Sequence, residues 1–424
     1  MKLRNPLILV LLAALLLGAG CSSVYDARQA MIEGGYQKVM TDTRDITQFP
    51  DRDKTLILNF RAHAKMGLGY WKSARDDYLR SWNTMNLSEG GNVSDAKIFS
   101  ERMKFWMGDP YERAFNSWYL GMLYFMMGDR ENSIACFKNA LYVDTGDLEI
   151  GEYDADWLPT FIMRIRAFLA RGDESGAKMM LDEMLRLPKE PANFDPNCPW
   201  FTMDAQKEAN TVMMLELGVG PFFTAEGHHG SVRVINQGEY RESSVEVLVN
   251  GESLGRAYKI GDTFFQAITR GGRVMDDILK GKAIAKTASI AVGASAMHVG
   301  RVLYKSGNKT AGAITAGVGA VLLIAGLLAN AEADTRGNVL LPGETHLMLA
   351  KLPEGDHLVE LRFFDANGNE MPDLRQRNVP LRVPAKGDAV LLARSRPLYV
   401  LPRTIEQASA DPYPPPAKPA APAK

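Results

Sequence analysis

Thiols and imidazoles are scarce in this 424-residue chain, with three cysteines and six histidines, so the residues able to do chemistry are quickly placed. Cys21 stands directly behind the small residues Gly18-Ala19-Gly20, at the end of an apolar run, which is the position of a processing site. Cys136 and Cys198 are the remaining thiols. In an oxidising compartment they could pair, but Cys136 lies in a predicted helix beside Phe137, where a buried free thiol is common, and sequence spacing cannot establish proximity. His228-His229 is the one concentrated imidazole pair. Adjacent residues of a strand point to opposite faces, which makes a poor bidentate metal site and leaves a loop ligand as the alternative. Glu149, Glu152 and Asp154 fall in a loop between helices, where carboxylates serve solvation more often than general acid-base work. A glycine-rich phosphate loop, His-Glu-x-x-His and Cys-x-x-Cys are all missing from the sequence. The expectation is a protein that is not an enzyme, with no catalytic residue, no metal and no cofactor.

The elements that surround Cys21 give it a different chemistry. Lys2 and Arg4 open the chain, apolar residues run from Leu7 to Leu17, and the small residues follow, which is a secretory signal over residues 1–20. The apolar run is short for a permanent anchor helix. Cys21 with Ser22-Ser23 after it resembles the lipobox of bacterial lipoproteins, except that Gly18 stands where that family prefers Leu. The resemblance implies cleavage before Cys21, diacylglycerol on its thiol and palmitate on its new amine. Two or three acyl chains anchor stably where one is marginal. In Gram-negative lipoproteins Asp after the cysteine retains the protein in the inner membrane, and here the residue is Ser22. The expected address is the outer membrane, lipid-anchored and facing the periplasm.

From about Tyr25 to Leu187 helix formers dominate and the chain repeats itself. The clearest unit, Ala114 to Asp147, is thirty-four residues long and carries Leu120, Gly121, Tyr124, Gly128, Phe137 and Ala140. These resemble the tetratricopeptide pattern, which implies that Leu120-Gly121 lets two helices approach, Tyr124 fills the gap, and Phe137 and Ala140 close the second helix. Ser133 replaces the family's usual Ala, and Thr145 its frequent Pro. Gly172, Ala177 and Leu181 repeat the turn and second helix, as do Gly69, Ala74, Tyr78 and Ser81, and Gly34-Gly35-Tyr36 marks a degenerate first unit. The functional expectation is a solenoid whose concave face binds a periplasmic or envelope protein; the alternative is a packed scaffold beside the second half. The aromatic and Met clusters Phe105-Trp106-Met107 and Tyr124-Phe125-Met126-Met127 read as core.

After Asn210, and a break at Gly218-Val219-Gly220-Pro221, the texture turns to short alternating runs. Val232 to Asn236 and Val245 to Val249 read as strands, the second closing on Asn250-Gly251 as a hairpin with Leu254 to Tyr258 as its return. His346 to Leu349, Leu358 to Phe363, Val379 to Val383 and Val390 to Ala393 are further strands, and Asp365 to Asn369 is a turn. Leu352 to His357 resembles the Pro-Glu-Gly turn-and-strand units of cell-surface β-domains. The expected fold of this half is a small antiparallel β-sandwich.

Between its strands, residues 283–299 and 311–333 are dominated by Ala, Gly, Ser and Thr. Ala283, Thr287, Ala291 and Ser295 recur at fourfold spacing in the first segment, as do Gly312, Ala316 and Ala320 in the second, which lines each set along one helix face for close backbone approach. These stretches resemble glycine-zipper segments. Ala311 to Ala329 holds nineteen residues without a charge, about 28 Å of helix. Its Ala and Gly offer little transfer energy, and a single crossing would separate strands that must share a fold. A protein-buried or self-associating hairpin is therefore preferred, with membrane insertion as the alternative. Asp334-Thr335-Arg336 leaves the hairpin with two charges available to cap or pair at the sheet edge.

Forty-nine basic residues nearly cancel fifty acidic ones, which removes the electrostatic case for nucleic acid. The expected fold class is α+β multidomain: signal peptide 1–20, tetratricopeptide-like α-solenoid 21–215, β-sandwich 216–400 with the helical hairpin inserted at about 262–333, and a Pro/Ala-rich disordered tail 401–424. With its Ala-Asp-Thr-Arg run at 333–336, the chain resembles an uncharacterised family of Gram-negative tetratricopeptide lipoproteins. That resemblance implies a non-enzymatic envelope scaffold, a regulator of envelope or peptidoglycan assembly; similar lipid-anchored repeat proteins activate peptidoglycan synthases. The alternative is a structural subunit that self-associates through 283–333.

Overall fold

The computed structural model describes residues 25–87, 105–144, 155–187, 194–226, 232–269, 333–395 and 399–400. Cys21, His228-His229, Glu149, Glu152, Asp154, the small-residue positions from Ala283 to Ala329 and the tail lie outside the described residues.

The first part is helical: α1 Ala27–Asp42, α2 Lys54–Gly67, α3 Trp71–Leu87, α4 Pro110–Met126, α5 Arg130–Asp144, α6 Leu158–Ala170 and α7 Glu174–Met184. Each packs on the next along the chain. Helix α1 is interrupted at Gly34-Gly35, where Gly35 takes a positive φ of 60°. Short α8, Met203–Glu208, leads into the strands.

Residues 211–217, divided between the two expected domains, form one strand, β1 Thr211–Leu217. It lies at the centre of a five-stranded sheet with β6 Tyr258–Asp262, β7 Glu344–Ala350, β10 Ala389–Arg394 and β11 Tyr399–Val400, in the order β11-β10-β1-β7-β6. A second sheet runs β5-β4-β8-β9, from β4 Glu242–Val249, β5 Glu252–Arg256, β8 Gly355–Asp365 and β9 Gln376–Val383. β2 Phe222–Glu226 and β3 Val232–Asn236 form a separate ribbon, and α9 Thr263–Thr269 follows β6. The Asn250-Gly251 hairpin is present, both residues at positive φ. Its return strand ends at Arg256, and Tyr258 begins a strand of the other sheet. The expectation of a wholly antiparallel set is corrected at one place. β1 and β10 run parallel, because the chain between them passes through the second sheet before β10 returns beside β1.

Three layers result. One face of the five-stranded sheet, with Val212 and Met214 of β1, Leu347 and Leu349 of β7 and Val390 and Leu392 of β10, joins the core of the helices. The opposite face, with Met213, Leu215, Met348 and Leu391, shares a second core with Val245 and Val247 of β4, Val359 and Leu361 of β8 and Leu381 of β9. β1 is therefore buried on both sides at all seven positions. A strand covered twice needs no polar face, so Thr-Val-Met-Met-Leu-Glu-Leu carries no alternation to announce it.

Candidate functional site: a buried junction between helices and sheet

The expected repeat positions fall on three helix pairs built alike. Gly69, Gly128 and Gly172 join α2 to α3, α4 to α5 and α6 to α7 at φ of 83°, 81° and 80°. Each closes the same pair of backbone bonds. Tyr70 N–H donates to Lys65 O at 2.8 Å, Asp129 N–H to Tyr124 O at 3.0 Å and Asp173 N–H to Phe168 O at 2.9 Å, while each glycine N–H reaches the carbonyl three residues back. A left-handed glycine satisfies the last carbonyls of one helix and starts the next. Five residues after each glycine stand Ala74, Ser133 and Ala177, all fully buried where the helices approach. Ser133 Oγ donates to Gly121 O at 3.0 Å, so the hydroxyl at this position has a partner. A Cβ on Gly121 would lie 2.7 Å from the Phe137 ring, which is the close approach expected of Leu120-Gly121 and Phe137. Leu120 and Ala140 are buried and Tyr124 is half-buried. Trp106, Phe125 and Met126 are core as expected, whereas Phe105 is exposed.

The first helices of these pairs, α2, α4 and α6, face the chain's own sheet, and polar groups meet there. Glu216 of β1 and Arg394 of β10 are direct neighbours in the parallel pairing, both buried toward the helices. Arg394 Nη1 donates to His63 Nε2 of α2 at 2.8 Å and to Leu340 O, and Nη2 donates to Leu341 O at 2.6 Å. Tyr119 of α4 donates its hydroxyl to Glu216 Oε1 at 2.6 Å. Aromatic rings enclose the group: Tyr119 meets the His63 ring edge-on at 5.3 Å, stacks on Tyr78 at 5.6 Å, and Tyr36 lies 5.8 Å from His63. Burial, with the Arg394 charge beside it, holds His63 well below its ordinary pKa, and burial raises the Tyr119 hydroxyl. On the far side Ser395 accepts from Gly218 N–H at 2.9 Å and donates to Glu242 of β4 at 2.7 Å, carrying the network to the second sheet.

Three further ties bind the same interface. Arg166 of α6 donates from Nε to Asp388 at 2.9 Å and from Nη2 to Ala209 O at 2.9 Å. Glu112 closes a capping box on α4, accepting Asp109 N–H at 2.8 Å, and its other oxygen accepts Asn338 N–H. Arg336 binds Asp334 and also Asp53 at 2.7 Å and Arg52 O at 3.1 Å. The expectation that Asp334 and Arg336 serve the sheet edge is thus corrected. They dock on the start of α2, because the carboxylate and carbonyl before that helix offer a buried guanidinium a full set of acceptors.

In this arrangement the His63 lone pair accepts from a guanidinium and Glu216 accepts from a phenol, so charge is held in place across the layers. Cys136 and Cys198 are buried free thiols, each pushed up to about 12 by burial. Among the described residues no group of three or more His, Cys, Asp and Glu side chains is placed to hold a metal, and no helix is long and apolar enough to cross a membrane. His63, Glu216 and Arg394 escaped the sequence-based reading; Glu216 and Arg394 stand in or at the end of apolar runs, a pattern that requires a buried partner, whereas His63 lies between Arg61 and Lys65 and gives no such signal. No family model, curated protein or solved structure matches the chain.

Proposed function

We propose that the chain is an outer-membrane lipoprotein, held by acyl chains on Cys21 and facing the periplasm, that serves as a non-enzymatic scaffold for a periplasmic or envelope protein in envelope or peptidoglycan assembly. Its helix pairs act as a short tetratricopeptide-like solenoid and its two large sheets as a β-sandwich braced against it. The observation that supports this reading is the division of labour within each pair. The first helices are committed to the junction with the sheet, which takes the face an extended ligand would need. The second helices look outward, and on them Tyr142 and Met179 are 63% and 57% exposed. A helical layer locked from behind by Arg394, Arg166 and Glu112 is a rigid platform for a partner on that outer face.

The test is crosslinking and pull-down of the full lipoprotein from envelopes, beside palmitate labelling at Cys21. A defined partner that is lost with Tyr142→Glu and Met179→Glu, in a chain that still folds, supports the scaffold. Recovery of further copies of the chain alone, lost with Gly312→Leu or Ala316→Leu, replaces it by the self-associating subunit. Failure to label at Cys21 removes the address.

A further inference from the structure

The two-stranded ribbon β2–β3 belongs to neither large sheet, yet several separate parts of the chain meet on it. The Arg28 guanidinium, in the first turn of α1, lies 4.7 Å from the centre of the Phe222 ring. Arg233 lies 3.5 Å over the Phe223 ring and binds Asp109 at 2.8 Å. α9 packs on β3, and a Cβ on Gly337 would sit 2.6 Å from Phe223. The ribbon thus touches the helix that follows Cys21, the helix that ends at Thr269, and the segment that begins at Ala333.

We propose that this ribbon end is the face the protein turns to the lipid bilayer, making a second membrane contact beside the acyl anchor; the orientation rests on the lipoprotein reading above. Five residues separate Cys21 from Ala27, a reach of about 20 Å at most. A folded chain of this length has a radius of gyration of about 21 Å, so the tether is shorter than the molecule is wide. The end that bears α1 is therefore held against the surface to which Cys21 is fixed. Exposed apolar side chains stand on the elements that meet the ribbon or adjoin those that do. Ile32, one turn beyond Arg28, is 75% exposed. Phe105 is 60% exposed and adjoins Trp106, whose N–H shares the Arg52 carbonyl with Arg336. Ile268 is exposed in the last turn of α9. A bilayer rather than a protein is the occupant because the short tether brings lipid to this end.

The proposal is tested with the chain from residue 21 onward carrying Cys21→Ser, so that no lipid is attached, floated with vesicles of phosphatidylethanolamine and phosphatidylglycerol. The chain should float with the vesicles. Ile32→Glu, Phe105→Glu and Ile268→Glu combined should cut the bound fraction about tenfold or more, since each removes an apolar insertion. Leu254→Glu with Leu358→Glu, on the second sheet, should leave it unchanged. All five positions are exposed, and an unchanged urea midpoint verifies folding. No flotation, flotation indifferent to the triple change, or equal loss with the Leu254 and Leu358 pair would overturn the proposal. Because this chain carries no acyl group, a failure of palmitate labelling at Cys21 is read separately from these outcomes.

Discussion

Arg394, the last residue of β10, donates from Nη1 to Nε2 of His63 at 2.8 Å, and that one bond sets the protonation of the imidazole. A guanidinium has donors only, so Nε2 is the acceptor and the ring proton sits on Nδ1, facing Tyr78 Oη at 3.3 Å. The bond joins the helical layer to the sheet across 331 residues of sequence.

Removing the guanidinium should loosen that joint. In Arg394→Met, Glu216 loses its neighbouring charge while His63, Leu340 O and Leu341 O lose a donor, all without access to water. The expected cost is about 3–5 kcal/mol, that of breaking a buried pair from one side. Arg394→Lys should fall between, since one ammonium cannot span His63 and both carbonyls. Urea unfolding of the chain carrying Cys21→Ser measures both. A midpoint for Arg394→Met equal to the parent's would mean that the junction does not hold the layers together.

His63 predicts a loss of stability toward acid. Its folded-state pKa is depressed below the unfolded value of 6.5, so the unfolded state binds the additional proton. Its contribution is present above about pH 6.5 and falls away as pH drops below that, with a slope of up to about 1.4 kcal/mol per unit. His63→Gln keeps an acceptor for Arg394 and does not titrate. Its urea midpoint should drop less than the parent's between about pH 7 and pH 5; parallel curves would show that the imidazole takes up its proton equally in the folded and unfolded chain.

The helix pairs were legible because their signals are local. A glycine, a small residue five places on and an apolar residue nine places on are all read within one turn and one helix, as Gly128, Ser133 and Phe137 illustrate. Most strands were legible by alternation, β8 and β9 above all, since one of their faces meets solvent. β1 was not, because two covering layers erase the alternation. The junction was not legible either. Glu216 and Arg394 declare only that each needs a partner, and which partner depends on β10 returning parallel to β1 after 171 intervening residues. Arg336 suffered the same ambiguity: its sequence neighbour Asp334 was visible, and Asp53 was 283 positions away.

Glu112 should act in the opposite sense to His63. Burial first, and the Asp109 carboxylate second, push it from 4.5 to about 8. An acid whose folded pKa is raised contributes stability below the unfolded value, and that contribution is lost as pH climbs from about 4.5 to about 8. Glu112→Gln should remove this decline while losing one of the two backbone bonds that the carboxylate accepts. Stability compared at pH 6 and pH 8, with the His63→Gln background cancelling the imidazole, isolates the effect. If the slope over this range survives Glu112→Gln, the carboxylate is ionised throughout and the group responsible lies elsewhere.

The glycines of the helix pairs separate backbone strain from crowding. Gly172 has a φ of 80° with nothing within 4 Å of an added Cβ, so Gly172→Ala should cost only the left-handed penalty, about 1–2 kcal/mol. Gly121 is the reverse case, since it carries no left-handed penalty and its added Cβ would meet the Phe137 ring at 2.7 Å. Gly121→Ala should cost about 1–3 kcal/mol through overpacking. Phe137→Leu, which on its own removes buried area, should recover part of that loss when combined with Gly121→Ala, because the smaller side chain vacates the contested space. A double-mutant cycle on unfolding free energies gives the coupling directly. Strict additivity would mean that Gly121 and Phe137 do not touch, and the close approach of α4 and α5 would have to rest on Ser133 alone.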